Sequence, residues 1–234
     1  MTPVLLPHHP ARDWAEIQER MLVPLYEAVH ERLGVGPGTR LLGLDCGTGL
    51  ALLMAAARGA SAAGAERDPA RAELAVERLR WEVPVTPEAP AEGSYDVVTA
   101  FHAAFPPAVS PAVLTRAAQS GAAVVVAGWG PPERCAAEPL LRSADRPGAG
   151  PEALVARAGL RPVAAGRVAC PFGYADGASA VRGLLSTGAF DAALRSAGPG
   201  PVEKELEEAL APHRRDDGTV WMPNVFRYVI ARVP

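Results

Sequence analysis

The sequence predicts an α/β fold in which short buried strands alternate with helices, and three stretches support this prediction. Residues 37–50 run from a proline-glycine turn signal through a short apolar stretch into a glycine-rich turn, and strong helix formers follow at 51–57. Residues 95–102 and 122–128 are two further runs of strand length. Continuous apolar runs of this kind are typical of strands that are buried on both faces of a parallel sheet.

The turn after the first strand has the features of a nucleotide-binding loop. Gly47 and Gly49 have no side chain to keep a ligand away, and the helix that follows directs free N–H groups at an anion. A nicotinamide dinucleotide site is disfavoured, because such sites need glycines spaced G-x-G-x-x-G and this loop does not have that spacing. Read from Gly47 the third glycine position is Leu52, and read from Gly43 the second is Asp45. Asp45 itself either contacts a ligand or simply ends the strand and caps the helix.

Composition bounds the class of protein. The chain has 234 residues, 49% of them hydrophobic, which is enough for a large core in one domain, or in one domain with an appendage. Its formal net charge is −3 and its basic residues are scattered, so nucleic acid is not an expected partner. No apolar run reaches the length of a membrane span and residues 1–10 do not resemble a signal peptide, so we expect a cytoplasmic protein. Three cysteines at these spacings indicate neither a disulfide framework nor a zinc site.

The segment before the first strand is predicted to be an amphipathic helix. Its apolar residues recur at steps of three and four: Trp14, Ile17, Met21, Leu25, Val29 and Leu33. Pro24 should kink or split this helix, and Gly34 should end it.

The second strand, within residues 59–65, ends at Glu66. In a doubly wound sheet this position lies beside the end of the first strand, where a carboxylate can accept hydrogen bonds from both hydroxyls of a ribose. Asp68 and Pro69 read as the N-cap and first residue of a helix that runs to Arg80.

The next two strands differ in quality. Residues 81–87 are interrupted by prolines and support only an edge strand. Residues 95–102 form a full strand that ends in His102, at the sheet edge where ligands bind in this class of fold. His102 is therefore the best-placed titratable group, and the alternative is a histidine that is satisfied by backbone or water.

The second half of the chain continues the pattern and then departs from it. A helix at 111–119 precedes the fifth strand, whose end places Trp129, Glu133 and Arg134 near a pocket. A helix at 152–158 and a sixth strand at 160–170 follow. Residues 172–218 then form a helical insertion before the last strand, with predicted helices at 177–186, around 190–194 and at 202–210 and a final strand at 220–233.

Several of these motifs resemble the Rossmann-like (class I) S-adenosylmethionine (SAM) methyltransferases. The family's first motif runs from proline-glycine through a strand to an acid and G-x-G-x-G. Aligned from Pro37, the acid falls on Gly43 and the first glycine on Asp45, so only the last two glycines match. Gly64-Ala65-Glu66, the strand from Tyr95 and the "AGL" at 158–160 match later family patterns.

The resemblance implies a Rossmann-like three-layer sandwich with a mostly parallel seven-stranded sheet, an antiparallel last strand and a helical insertion before it. It divides the chain into an N-terminal helical lid (1–36), a SAM-binding core (37–171), a helical cap (172–218) and the final core strand (219–234). The family's acid toward the adenine amine falls near Pro84, so adenine recognition is expected to be apolar or through backbone.

The resemblance also implies roles for individual residues. The cofactor SAM should contact Gly43, Asp45, Gly47, Gly49, Glu66, Arg67 and Phe101. Asp45 is predicted to replace the family's acid as the partner of the methionine ammonium, or else to crowd the pocket. A small-molecule acceptor should contact Trp14, Tyr26, Trp129 and Tyr174, although Trp14 and Tyr26 could instead be core residues. Tyr174 should face Trp129 and His102. His102 is the candidate catalytic base, needed where the nucleophile must lose a proton. No metal is implied.

The predicted function is SAM-dependent methyl transfer to a small, natural-product-like acceptor. The alternative is a protein of the same fold that has lost methyl transfer and catalyses a cyclisation or another non-methyl reaction, since fold does not fix function. A non-enzymatic scaffold is the third hypothesis. The oligomeric state stays open, with a homodimer as one alternative.

Overall fold

The computed structural model describes residues 9–80, 82–89, 95–106, 109–116, 118–141 and 150–234. The first eight residues of the predicted lid, and Trp81 at the start of the predicted edge strand, lie outside these ranges.

The described residues form a seven-stranded sheet and a separate two-stranded sheet. The strands are β1 (Arg40–Leu44), β2 (Ser61–Ala65), β3 (Val85–Thr86), β4 (Tyr95–Ala100), β5 (Ala118–Trp129), β6 (Arg161–Ala169), β7 (Phe172–Tyr174), β8 (Val220–Met222) and β9 (Val225–Arg232). The large sheet has the order β3-β2-β1-β4-β5-β9-β6, and β9 runs antiparallel to both of its neighbours. The strand order reverses between β1 and β4, which is where open α/β sheets bind ligands.

Helices cover both faces of this sheet. They are α1 (Pro10–Asp13), α2 (Val23–Leu33), α3 (Leu50–Ala57), α4 (Pro69–Arg78), α5 (Pro111–Arg116), α6 (Glu138–Leu141), α7 (Pro151–Arg157), α8 (Gly177–Leu185), α9 (Asp191–Ala197) and α10 (Pro199–Leu210). One core cluster joins one face of the sheet to the lid, α3, α4 and the cap. A second cluster joins the opposite face to α5 and α7, so the molecule is the predicted three-layer sandwich.

The lid is less regular than the apolar repeat predicts. A π-helical turn, Trp14–Gln18, and a 3-10 turn, Glu19–Leu22, separate α1 from α2. Pro24 lies in the first turn of α2, where its missing N–H costs nothing, so the predicted split at this proline is confirmed. Gly34 ends α2 in the left-handed conformation, as predicted.

Two predicted boundaries were wrong. The helix expected at 111–119 ends at Arg116, and β5 already begins at Ala118. The strand expected from 220 to 233 is two strands, because Pro223 has no N–H to donate and interrupts the ladder. Its first part, β8, pairs with β7 at the start of the cap rather than with the core sheet.

The cap packs on the lid. The Arg182 Nε of α8 donates to a carboxylate oxygen of Asp13 at 2.9 Å, and the Tyr174 hydroxyl donates to Gln18 Oε1 at 2.9 Å. Gly183 allows this approach, since a Cβ there would lie 2.7 Å from Tyr174 Cε1 and 3.0 Å from Ile17 Cγ2. Lid and cap therefore form one layer over the same face of the sheet.

Cys46, Cys135 and Cys170 are buried free thiols. Within the described ranges, no helix is long and apolar enough to cross a membrane.

Candidate functional site

The loop after β1 makes the sharp turn that the sequence predicts. Asp45, Gly47 and Gly49 all have left-handed backbone, with φ of 45°, 62° and 79°. Gly49 lets α4 approach, since a Cβ there would lie 3.0 Å from Leu79 Cδ1. Gly43, another predicted cofactor contact, lies beneath the loop, where a Cβ would meet Leu52 Cδ2 at 3.0 Å.

Asp45 faces Arg67 at the end of β2. The Arg67 Nε and a terminal nitrogen donate to the two carboxylate oxygens at 2.9 and 3.0 Å. This bidentate geometry holds the Asp45 side chain beside the second strand. The ammonium-binding role predicted for Asp45 would require the carboxylate to exchange this partner or to share it.

Glu66 lies beside the loop, as the sequence predicts for the end of β2. One carboxylate oxygen accepts from Gly47 N at 2.7 Å and the other from Asp68 N at 2.9 Å. Burial raises the pKa of Glu66, and these two N–H groups act in the opposite direction. Each oxygen retains a lone pair that a ligand hydroxyl could use.

His102 lies under the loop with both ring nitrogens engaged. Nδ1 is 2.7 Å from the Asp45 carbonyl oxygen, and Nε2 is 2.6 Å from the Tyr26 hydroxyl. A carbonyl only accepts, so Nδ1 is the protonated nitrogen and Nε2 accepts from Tyr26. Burial lowers the pKa of His102, which keeps the ring neutral, while Glu19 acts in the opposite direction. Phe101 packs on the Tyr26 ring with centroids 5.0 Å apart.

The lid covers the loop from the other side. Trp14 is fully buried, with its ring centroid 5.1 Å from that of His102 and the Arg71 guanidinium carbon 4.5 Å from its own centroid. The Trp14 Nε1–H is buried and has no hydrogen-bond partner among the described residues. A Cβ on Gly47 would lie 2.7 Å from this nitrogen, 2.7 Å from Glu19 Oε1 and 2.9 Å from His102 Cε1. Only glycine fits at position 47.

An aromatic cluster extends from Trp14 toward the cap. Phe105 contacts Trp14 and Trp129, with centroids 5.4 and 5.7 Å apart. Trp129 also contacts Phe172 and Phe226, at 6.0 and 4.7 Å. The ring that the cap places against Trp129 is thus that of Phe172. Tyr174, expected to face Trp129, instead directs its hydroxyl to Gln18.

An open cleft of about 310 Å³ lies on the other side of Asp45, between the ends of β1, β2 and β3 and helix α5. Its apolar walls come from Leu44, Ala65, Ala89, Val109 and Val113. Its polar lining includes Asp45, Arg67, Glu88 and Arg116. This volume lies at the lower end of the range for small-molecule sites.

Sequence reasoning missed several residues of the site. Glu88 lines the cleft just after β3. In the sequence, the position of the family's acid toward the adenine amine falls near Pro84 instead. Glu19 and Arg78 also contact Thr48 of the loop, and Arg71 lies over the Trp14 ring that covers the loop. The only signal for the two arginines was their seven-residue spacing, which places them on one face of α4. Glu133 and Arg134 lie in a short exposed 3-10 turn.

Among the described residues, no group of three or more His, Cys, Asp or Glu side chains could hold a metal ion.

Comparison with solved structures identifies the fold. A Bacillus halodurans C-125 structure assigned as a methyltransferase aligns with a TM-score of 0.55 at 12% identity, over 89% of this chain and 98% of that one. Geranyl diphosphate methyltransferase in complex with SAM aligns at 0.54 and 17% identity, over 100% and 93%. The [4+2]-cyclase SpnF aligns at 0.50 and 17% identity, over 90% and 80%.

The chain therefore has the Rossmann-like methyltransferase fold, and the predicted fold class is confirmed. No protein-family model matches the chain, and no curated protein matches it.

Proposed function

We propose that this protein is an enzyme that transfers the methyl group of SAM to a small-molecule acceptor. The observation that favours this most is the meeting of the left-handed glycine loop with Glu66 at the ends of β1 and β2, beside an open cleft. The structural neighbours include SAM-dependent enzymes that act on small molecules, which supports the choice of cofactor.

The residues present fit the adenosine half of SAM. The apolar walls of the cleft suit a purine, and Glu88 offers an acceptor to an exocyclic amine. Arg67 offers a flat guanidinium for stacking and Glu66 a free lone pair on each oxygen for ribose hydroxyls. The methionine half would meet the loop face at Gly47, which Trp14 and Glu19 cover, so we infer that the lid moves when SAM binds.

SAM supplies an electrophilic methyl group, so the protein has mainly to align the acceptor and to exclude water. We assign acceptor contacts to Trp14, Tyr26, Trp129 and Tyr174, and we add Phe105 and Phe172 because they complete the same buried cluster. Aromatic rings of this kind offer contact area and orientation.

His102 is our candidate for the base. Its Nδ1 already carries a proton that it donates to Asp45, so a proton lost by the acceptor would go to Nε2. The Tyr26 hydroxyl occupies Nε2 in the closed structure and would have to rotate away or pass the proton on. The lowered pKa of His102 keeps Nε2 unprotonated at neutral pH, as a base requires.

A non-methylating reaction such as a cyclisation is the second candidate. Two observations favour it: Asp45 occupies a left-handed position where the family has glycine, and the lid fills the face of the loop. The cyclase among the structural neighbours shows that the same fold can host such chemistry.

Isothermal titration with SAM and S-adenosylhomocysteine tests the main proposal. Both should bind with one site per chain, and Glu73→Gln on the exposed side of α4 should not alter the affinity. Binding of neither ligand would contradict the cofactor assignment and favour the scaffold hypothesis. If SAM binds but no S-adenosylhomocysteine forms when candidate acceptors are added, the result would favour the cyclase hypothesis.

Asp45 has its own test. If its carboxylate meets the methionine ammonium, Asp45→Gly should lower SAM affinity and adding Gly43→Asp should restore part of it. Tighter SAM binding by Asp45→Gly would contradict this role.

We further propose that the protein acts in the cytoplasm, without a nucleic-acid partner, and that a homodimer is a reasonable assembly to test by light scattering. The net charge of −3 and the absence of a basic stripe support the second point.

A further inference from the structure

Glu19 of the lid binds directly to the glycine loop. Its Oε1 accepts from Thr48 N at 3.0 Å, and its Oε2 accepts from the Thr48 hydroxyl at 2.5 Å. Arg78 donates to the same Oε2 at 2.5 Å and also to the carbonyl and hydroxyl oxygens of Thr48. The Glu19 side chain is 1% exposed, so this contact is made out of water.

The partners of Glu19 form a carboxylate-binding arrangement. A backbone N–H of the loop just before α3, a hydroxyl and a guanidinium converge on one carboxylate group. Charge-assisted hydrogen bonds of this kind are stronger than neutral ones, and the helix N-terminus adds a favourable dipole. The chain thus presents on its loop the set of donors that a carboxylate ligand needs.

Trp14 provides an independent sign that a ligand belongs here. Its Nε1–H is fully buried, lies against Gly47 and finds no acceptor in the part of the chain that the structure describes. The Gln18 side-chain NH2 is likewise buried with no acceptor within the described ranges, while the Gln18 side-chain oxygen accepts from the Tyr174 hydroxyl. Buried donors without partners are costly and rare in native proteins. The closed lid therefore leaves the Trp14 donor unsatisfied beside the loop, and the Gln18 donor unsatisfied where the lid meets the cap.

The irregular winding of the lid explains how these side chains meet. The π-helical turn Trp14–Gln18 is followed at once by the 3-10 turn from Glu19, and Trp14, Gln18 and Glu19 are all buried. Such departures from α-helical winding are found frequently at functional sites. The segment that would open for a ligand is thus also the least regular part of the lid.

We propose that Thr48 and Arg78 form a carboxylate site that Glu19 occupies when the lid is closed, and that the amino-acid carboxylate of the cofactor displaces Glu19 from it. This inference rests on the proposed function, because the competing ligand is the methionine half of SAM. The indole N–H of Trp14 is then available to the incoming carboxylate as a further donor. Glu19 acts as an internal competitor that lowers the apparent affinity for the cofactor.

The test compares two ligands that differ in the amino-acid portion. S-adenosylhomocysteine has it, and 5′-methylthioadenosine keeps the adenosine and the thioether but lacks it. Glu19→Gln should bind S-adenosylhomocysteine about tenfold more tightly than the wild type, because one charge-assisted contact no longer has to be given up. Its affinity for 5′-methylthioadenosine should change far less. Glu16→Gln, an exposed change in the same segment, is the matched control.

A second variant locates the site on Arg78. In the Glu19→Gln background, adding Arg78→Gln should remove the gain for S-adenosylhomocysteine. Equal or weaker S-adenosylhomocysteine binding by a folded Glu19→Gln variant would overturn the proposal, and so would an equal gain for both ligands.

Hydrogen exchange separates this proposal from the proposed function. Glu19→Gln should speed amide exchange in residues 14–22 without any ligand, and Glu16→Gln should not. If neither ligand binds any variant, the cofactor assignment fails. Unchanged amide exchange in Glu19→Gln would show that Glu19 does not hold the lid closed. That result would contradict the role of Glu19 as a competitor, whether or not SAM is the cofactor.

Discussion

The Tyr26 hydroxyl lies 2.6 Å from Nε2 of His102, and Nδ1 of the same imidazole ring lies 2.7 Å from the Asp45 carbonyl oxygen. A residue of the lid and a residue of the glycine loop thus fix one tautomer of a buried histidine between them. The loop, the fourth strand and the lid are coupled through this ring. Any movement of the lid that displaces Tyr26 also frees Nε2 of His102.

Tyr26→Phe should destabilise the protein by about 1–3 kcal/mol, because a buried imidazole nitrogen loses its donor. Urea unfolding at neutral pH measures this change. Long-range 15N NMR should show His102 protonated at Nδ1 in both proteins. Protonation at Nε2 in the wild type would contradict the assigned tautomer.

His30 should make the protein less stable in mild acid. Burial of the ring, and secondly the nearby Arg58, lowers the pKa of His30 from 6.5 to about 4. Between pH 6.5 and pH 4 the unfolded chain binds a proton at His30 that the folded chain does not. The contribution of neutral His30 to the free energy of unfolding is therefore fully present above about pH 6.5 and is lost as the pH falls toward about 4. The free energy of unfolding should fall by about 3 kcal/mol over this range.

His30→Leu should flatten this dependence. Both ring nitrogens of His30 are buried without partners among the residues that the structure describes, so an apolar side chain suits the site. Chemical denaturation at pH 7.5, 6 and 5 makes the comparison. An unchanged slope between wild type and variant would show that His30 is not the group responsible.

Glu66→Gln should weaken SAM binding and also lower stability, each by about 1–3 kcal/mol. The amide has one acceptor oxygen for the N–H groups of Gly47 and Asp68, and it brings its own NH2 into a buried site. Titration and thermal unfolding give the two numbers. Retention of full SAM affinity by a folded variant would remove Glu66 from the cofactor site.

Asp45→Ala should be less stable than Asp45→Gly by about 1 kcal/mol, because position 45 has a φ of 45° and a Cβ is disfavoured there. Both variants lose the ion pair with Arg67, so their difference reports the backbone alone. Urea unfolding of the two variants is the measurement. Equal stability would indicate that the loop relaxes to another conformation.

Tyr174→Phe should loosen the lid and the cap together. It leaves Gln18 Oε1 buried without its donor, at an expected cost of about 1–3 kcal/mol. Amide exchange should rise in residues 14–22 and 177–185 but not in β5. A rise confined to the cap would show that Tyr174 does not join the two segments. Tyr228→Phe, in the last strand of the core sheet, is a control that leaves the lid contacts intact.

The sequence by itself determined the core of this fold, because its signals are local. The apolar run of β1, the glycines at 47 and 49 and the small residues of β2 specify backbone geometry through sterics and burial that involve near neighbours. Asp68 caps α4 as predicted, with its side chain accepting from Ala70 N and Arg71 N. The relation of Glu66 to the loop also followed, since adjacent parallel strands end at one edge.

The tertiary structure alone decided what lies on that loop. Glu19 and Thr48 are 29 residues apart and Tyr174 and Gln18 are 156 apart, and nothing in local periodicity pairs them. The apolar stripe placed Trp14 on the lid's inner face but said nothing of Gln18 and Glu19. These two are buried because the π-helical and 3-10 turns shift the helical phase. A buried carboxylate needs partners, and those of Glu19 lie 29 and 59 residues along the chain, so only the folded chain could show that Thr48 and Arg78 supply them.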